Sequence, residues 1–205
     1  MISMNPLKDI YFANTYALVI CGGQSSRMGT DKSMLQYFDK PQRYHVYDML
    51  LPLCKKIFIS CNKEQVNTIE SGYNFIEDEE IFKTIGPIVA LLTASSRYPK
   101  KNMLLIGCDY PFLTVRDLEL FSKYCNNVPA AFYNEAANVY EPMLAWYPHS
   151  CLSALKNMFA AKQSSLQQLL KQNHAVKYLP TDTNSIKSID TREAFSQTIK
   201  GLNTG

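Results

Sequence analysis

A three-layer α/β/α domain with a mostly parallel, partly mixed central sheet is the fold that this 205-residue chain predicts. Three observations lead there. Hydrophobic residues make up 46% and charged residues 19% of the chain, enough for a sizeable core and too apolar for disorder throughout. Short apolar runs alternate with helical patterns through the first 110 residues. The Asn102–Cys108 run is continuously apolar rather than alternating, as a strand covered on both faces would be.

The elements follow in order. Tyr16–Cys21 (YALVIC) reads as a buried strand feeding a Gly-Gly turn. Residues 42–56 space Tyr44, Val46, Tyr47, Leu50, Leu51 and Leu53 roughly as a helix does, and Pro52 must end or kink it. Ile57–Cys61 is a second strand, Lys63–Ser71 a short helix before Gly72, and Tyr73–Ile76 a third strand before the acidic EDEE run. Gly86–Tyr98 is a helix opened by Pro87, whose missing N–H falls where a helix leaves it unpaired. Asn102–Cys108 is the fourth strand, and the next helix is capped by Thr114 with Asp117 three residues on. This β-α-β-α rhythm calls for a parallel sheet with helices on both faces. The second half is less regular: strands at Pro129–Tyr133, Tyr140–Tyr147 and Val176–Leu179, helices at Cys151–Ala161, Leu166–Gln172 and Thr191–Ile199, and a frayed tail at 200–205. No repeat or linker divides the chain, so residues 1–205 are expected to form one domain.

Composition excludes several classes. A net charge of +3, from 21 basic and 18 acidic residues, is too even to point to a nucleic-acid or membrane-surface partner. No apolar span approaches the roughly 20 residues a membrane helix needs, and the N-terminus lacks the apolar region of a secretory signal. The six cysteines form no C-x-x-C pair, and with three scattered histidines a zinc site has little support. Buried, reduced thiols in a cytoplasmic protein are the expectation.

The most informative segment follows the first strand: Gly22-Gly23-Gln24-Ser25-Ser26-Arg27-Met28-Gly29-Thr30-Asp31-Lys32-Ser33. Glycines let a backbone approach a phosphate and turn successive N–H groups toward it. Arg27 and Lys32 add the positive charge that a triphosphate needs. In a parallel sheet, ligands sit beyond the carboxyl ends of the strands, where this loop falls. It is not a Walker A loop, because five residues separate Gly23 from Gly29 and Thr30-Asp31 precede Lys32-Ser33, and no G-x-G-x-x-G is present.

These residues resemble the molybdenum cofactor guanylyltransferases. ICGGQSSRMGTDKSML is similar to their L-A-G-G-x-S-x-R-M-G-x-D-K signature, with Cys21 in place of Ala. Three further blocks match in order: Ser60-Cys61-Asn62-Lys63 after the second strand, Ile76-Glu77-Asp78 followed by Gly86-Pro87, and Gly107-Cys108-Asp109-Tyr110-Pro111-Phe112-Leu113, which resembles C-D-x-P-F/Y. Beyond residue 114 the likeness thins to Glu141–Tyr147 (EPMLAWY), similar to x-P-L-x-A-x-Y. Where the family carries N-x-N-T-P, this chain has Ser188-Ile189-Asp190-Thr191-Arg192, so both asparagines are replaced.

The resemblance implies a Rossmann-like nucleotidyltransferase fold with a nucleotide-binding half near 14–113 and an acceptor-binding half near 114–199. It implies GMP transfer from GTP to molybdopterin with release of pyrophosphate, magnesium as cofactor, and molybdoenzymes or their maturation chaperones as partners. Asp109, at the end of a buried strand, is the implied metal ligand, its other reading being a turn cap before Pro111. Lys32 and Arg27 would hold the triphosphate. Ile20, Cys21, Gly22, Gly23 and Ser25 would lie under the nucleotide, and Asp78, Ser60 and Asn62 would offer polar contacts to guanine or ribose. Asp190 either reaches the metal from the side opposite Asp109 or caps the last helix. Tyr133, Tyr140, Trp146 and Tyr147 either stack on a pterin or pack as core. A cytidylyltransferase for the same acceptor is the nearest rival, disfavoured by Cys21-Gly22-Gly23 where its loops read A-A-G. A sugar-phosphate nucleotidylyltransferase and a non-catalytic nucleotide-binding homologue are the other readings.

Overall fold

The computed structural model describes residues 11–21, 31–82 and 88–203. Among them, seven strands form one sheet: β1 (Thr15–Ile20), β2 (Lys56–Cys61), β3 (Phe75–Glu77), β4 (Asn102–Gly107), β5 (Ala130–Asn134), β6 (Val139–Tyr147) and β7 (Val176–Tyr178). Their order is β3-β2-β1-β4-β6-β5-β7. Every neighbouring pair is parallel except those made by β6, which runs antiparallel to both β4 and β5. The helices are α1 (Gln42–Leu50), α2 (Lys63–Val66), α3 (Ile88–Arg97), α4 (Val115–Ser122), α5 (His149–Ala160), α6 (Leu166–Gln172) and α7 (Arg192–Asn203).

Strand side chains alternate between two cores, one on each face of the sheet. Ala17, Val19, Ile57, Ile59, Leu104 and Ile106 face α1 and α4, meeting Tyr44, Leu50, Leu118 and Phe121. Leu18, Phe58, Ile76 and Leu105 face α3, α5 and α6, meeting Leu91, Leu155 and Leu169. Because both faces are covered, the central strands are apolar throughout, which is what their sequences encode.

The chain lays β1, β2 and β3 toward one edge, then crosses back to set β4 on the other side of β1. This reversal is a topological switch point at the carboxyl ends of β1 and β4, and sheets of this kind take ligands in the crevice outside such a point.

Several local expectations are refined. α1 ends at Leu50, ahead of Pro52. α2 is a single turn, not a helix to Ser71; its capping box joins Asn62 to Gln65 and it closes at Asn67. Thr114 and Asp117 form the predicted box at the start of α4. Residues 200–203 continue α7 instead of fraying. Tyr133, Tyr140, Trp146 and Tyr147 are at most 7% exposed, and the Trp146 Nε1–H donates to Thr15 Oγ1 at 3.0 Å, so these rings are core packing and not a stacking platform. All six cysteines are free thiols, five of them buried. Among the described residues no helix is long and apolar enough to cross a membrane.

Candidate active site

The crevice is built from strand ends. Ile20 closes β1 and its carbonyl accepts from the Cys108 N–H at 3.1 Å, which locks the ends of β1 and β4 together. Ile20 and Cys21 are buried there. Gly22, Gly23, Ser25 and Arg27 lie outside the described residues, as do Gly86 and Pro87. The chain is described again from Asp31, whose Oδ1 accepts from the Ser33 N–H at 2.9 Å and the Ser33 hydroxyl at 2.7 Å. That cap forms the short 3-10 turn Lys32–Met34 and sets Lys32 at the mouth of the crevice.

Asp109 comes two residues after the end of β4. Burial pushes its carboxyl above the ordinary carboxylate range; a backbone hydrogen bond opposes this, Asp190 adds to it, and Lys32 and Ser188 pull it back. The residue before Cys108 has to be small. A Cβ on Gly107 would sit 2.6 Å from Asp109 Oδ1 and 3.3 Å from Met143 Cβ. Gly107→Ala is therefore expected to displace the carboxylate. Turnover should fall by about one to two decades, the scale of a 1 Å misplacement, and stability by about 1–3 kcal/mol from overpacking. Paired melting and rate measurements check this; wild-type turnover would show that the carboxylate position is not critical.

A strap from the end of the chain crosses this corner. The Ile189 N–H donates to the Asp109 carbonyl at 2.8 Å, and the Ile189 side chain is 1% exposed. Its neighbours face the crevice. The Ser188 hydroxyl lies 3.2 Å from Asp109 Oδ2 and 2.9 Å from Asp190 Oδ2, within reach of both carboxylates with one proton to donate to either. Asp190 Oδ1 takes the Lys32 ammonium at 2.5 Å. Asp190 is thus not the cap of the last helix: the Thr191 hydroxyl accepts from the Ala194 N–H at 3.1 Å and caps α7 instead. The strap brings Asp190 to the site on the same side as Lys32.

Two further residues belong to this corner and were not assigned from sequence. The first is Glu141. Ile106 pairs with Leu144 at the last position of the antiparallel ladder, which brings the part of β6 before Leu144 past the carboxyl end of β4, toward the turn that carries Asp109 and Tyr110. Against β5, Ala131 pairs with Ala145 but Tyr133 with Tyr140, so residues 141–144 stand against residue 132 alone. Such an irregularity re-aims side chains, and Pro142 within it has no N–H to add to a ladder. Glu141 accepts from the Tyr110 hydroxyl at 2.9 Å, and its carboxyl is raised by burial, with Asp109 and Asp190 adding to the rise. The second is Tyr37, a buried ring packed edge-on to Phe195 of α7 at 5.0 Å; its hydroxyl pKa is raised by burial and then by Asp109 and Asp190. Among the described residues no group of three or more His, Cys, Asp or Glu is arranged as a protein-only metal cage.

The other wall lies over β2 and β3. The Ser60 hydroxyl donates to Asp78 Oδ1 at 2.8 Å, and the Asp78 N–H donates to the Cys61 carbonyl at 2.9 Å. Burial raises the Asp78 carboxyl and the Ser60 hydrogen bond opposes it. Asp78 is therefore a built-in, partly desolvated acceptor and not one more charge on the EDEE surface. The Asn62 side-chain oxygen is engaged as the cap of α2, accepting from the Gln65 N–H at 3.0 Å. The Gln65 side chain then donates to Asp31 Oδ2 at 2.7 Å, tying this wall to the segment that carries Lys32. The structure thus groups Lys32, Asp109 and Asp190 at one end of the crevice and Ser60, Asn62 and Asp78 at the other.

Comparison with known proteins places this arrangement in a family. A molybdenum cofactor biosynthesis bifunctional protein from Synechocystis sp. is 30% identical over 131 residues, 62% of this chain and 37% of that protein. A molybdenum cofactor guanylyltransferase from Shewanella putrefaciens is 26% identical over 187 residues, covering 88% of this chain and 94% of the relative. The chain spans 37% to 50% of the length of the first curated relatives that it matches. The fold is shared with the crystal structure of molybdopterin-guanine dinucleotide biosynthesis protein A from Archaeoglobus fulgidus, with a TM-score of 0.75 at 19% identity over 93% of this chain and 100% of that one. The family model for the MobA-like NTP transferase domain matches residues 17–176, from β1 to the start of β7, and the chain belongs to that family.

Proposed function

We propose that the chain transfers GMP from GTP to molybdopterin, forming the guanine dinucleotide cofactor and releasing pyrophosphate. The observation that carries this reading is the division of the crevice: a cation and a strand-end carboxylate, Lys32 and Asp109, at one end, and a desolvated acceptor, Asp78, at the other. A nucleoside triphosphate has the same polarity, anionic at one end and hydrogen-bonding at the other. The names carried by the relatives support guanine and molybdopterin as the substrates.

The reaction needs little covalent chemistry from the protein. An acceptor phosphate oxygen, ionised at neutral pH, attacks the α-phosphorus; the bond to the bridging β-oxygen breaks and its electron pair leaves on pyrophosphate. Positioning and charge neutralisation are what remain for the chain to do. Lys32 binds the triphosphate and neutralises the charge that grows on the leaving group. Asp109, with Ser188 orienting it, presents a hard oxygen ligand. The donor set fits magnesium, which takes oxygen ligands, keeps several waters and is held by one or two carboxylates plus substrate phosphates. Magnesium, when bound, neutralises phosphate charge. Asp78, steadied by Ser60, accepts from the N1–H and N2–H of guanine.

Cytosine offers a different edge, leaving the half-buried Asp78 carboxylate without the two donors of guanine, a loss of about 1–3 kcal/mol. GTP is therefore expected to bind about five- to 150-fold more tightly than CTP in titration calorimetry with magnesium. Equal affinities would remove Asp78 from base recognition, and tighter binding of CTP would favour the cytidylyl alternative.

A further inference from the structure

A short polar contact at the phosphate end joins two residues 158 positions apart: Lys32 Nζ and Asp190 Oδ1, at 2.5 Å. Lys32 is the side chain assigned above to the triphosphate, and here its ammonium is already matched by a carboxylate. We propose that Asp190 is an internal competitor for phosphate, holding Lys32 until a polyphosphate displaces it, and so sets the affinity of the site. This rests on the nucleotide-binding reading of the crevice.

Three features carry the proposal. The first is charge. A carboxylate and a phosphate oxygen make the same kind of contact with an ammonium, and one compact point charge cannot serve both at full strength. The second is mobility of the right part only. The strap backbone is anchored next door by the buried Ile189 and its hydrogen bond to the Asp109 carbonyl, so releasing Asp190 requires a side-chain rotation and no unfolding. The third is exposure. The Lys32 side chain is 20% exposed and that of Asp190 50%, so the pair is open to an incoming anion and its water-screened strength is small enough to be exchanged. The Ser188 hydroxyl, 2.9 Å from Asp190 Oδ2, remains as a partner after the exchange.

The test separates this role from any metal or base effect by using inorganic tripolyphosphate in EDTA. Its affinity is measured by calorimetry for the wild-type chain, Asp190→Asn, Lys32→Ala and the double variant. Asp190→Asn is expected to bind tripolyphosphate about three- to tenfold more tightly, with the gain shrinking as salt is raised. In the Lys32→Ala background the same substitution is expected to give little gain, because the contact it relieves is gone. Unchanged or weaker binding by Asp190→Asn overturns the proposal, and so does an equal gain in both backgrounds, which would make Asp190 a diffuse repulsion and not an occupant of Lys32. The underlying reading fails separately, if Lys32→Ala binds tripolyphosphate as well as wild type does. Melting curves on all four proteins establish that each is folded.

Discussion

Asp109→Asn is expected to lower magnesium-dependent transfer by about three decades or more without lowering the melting temperature. The amide keeps the shape of the carboxylate and one of its oxygens but not the charge that holds a hard cation. Three decades correspond to about 4 kcal/mol of lost transition-state stabilisation, the scale of removing one well-placed electrostatic group. The stability half of the expectation follows from the surroundings. Burial and the neighbouring Asp190 disfavour the ionised carboxyl, so a neutral side chain relieves a penalty and can still accept from Ser188. Steady-state rates across a magnesium titration, alongside thermal melts, check both halves. Activity that returns fully at high magnesium would make Asp109 an affinity aid, and unchanged activity would remove it from the site.

Lys32→Ala is expected to lower turnover by about two to three decades, or about 3–4 kcal/mol, because the departing pyrophosphate loses its point charge. Stability should barely move, since the Asp190 partner is half exposed and water-screened pairs contribute about 0–1 kcal/mol. Lys32→Arg should recover part of the rate, as it keeps charge but replaces a compact ammonium by a planar fork. Both variants can be read from kcat and KM together. A change confined to KM would mean that Lys32 binds the ground state and transition state alike, against the role assigned to it.

How much of this was legible in the sequence depends on range. Strands β1, β2 and β4 were readable because strands covered on both faces must be apolar throughout, and that is a local property. Asp109 and Lys32 could be singled out for the same reason: each follows directly from an apolar strand or its loop. Glu141 carries no local signal of a role, since its place depends on the register of β6 against β4 and on the irregularity at residues 141–144, neither of which is local. Tyr37 meets α7 only through packing with Phe195. Asp190 shows the limit most clearly. Two adjacent residues, Asp190 and Thr191, are both good helix caps, and local chemistry cannot choose between them. The choice is made by a lysine near the other end of the chain, which takes Asp190 and leaves the cap to Thr191.

The central claim is tested most directly by following the α-phosphate. GTP labelled at that phosphate is incubated with magnesium, molybdopterin and the chain, and the products are separated. Label is expected to move from GTP into a pterin dinucleotide, with one pyrophosphate released per label transferred, only when acceptor is present, and far faster than with labelled CTP. Label that stays in GTP, that moves equally well from CTP, or that appears as free GMP without acceptor would contradict the claim.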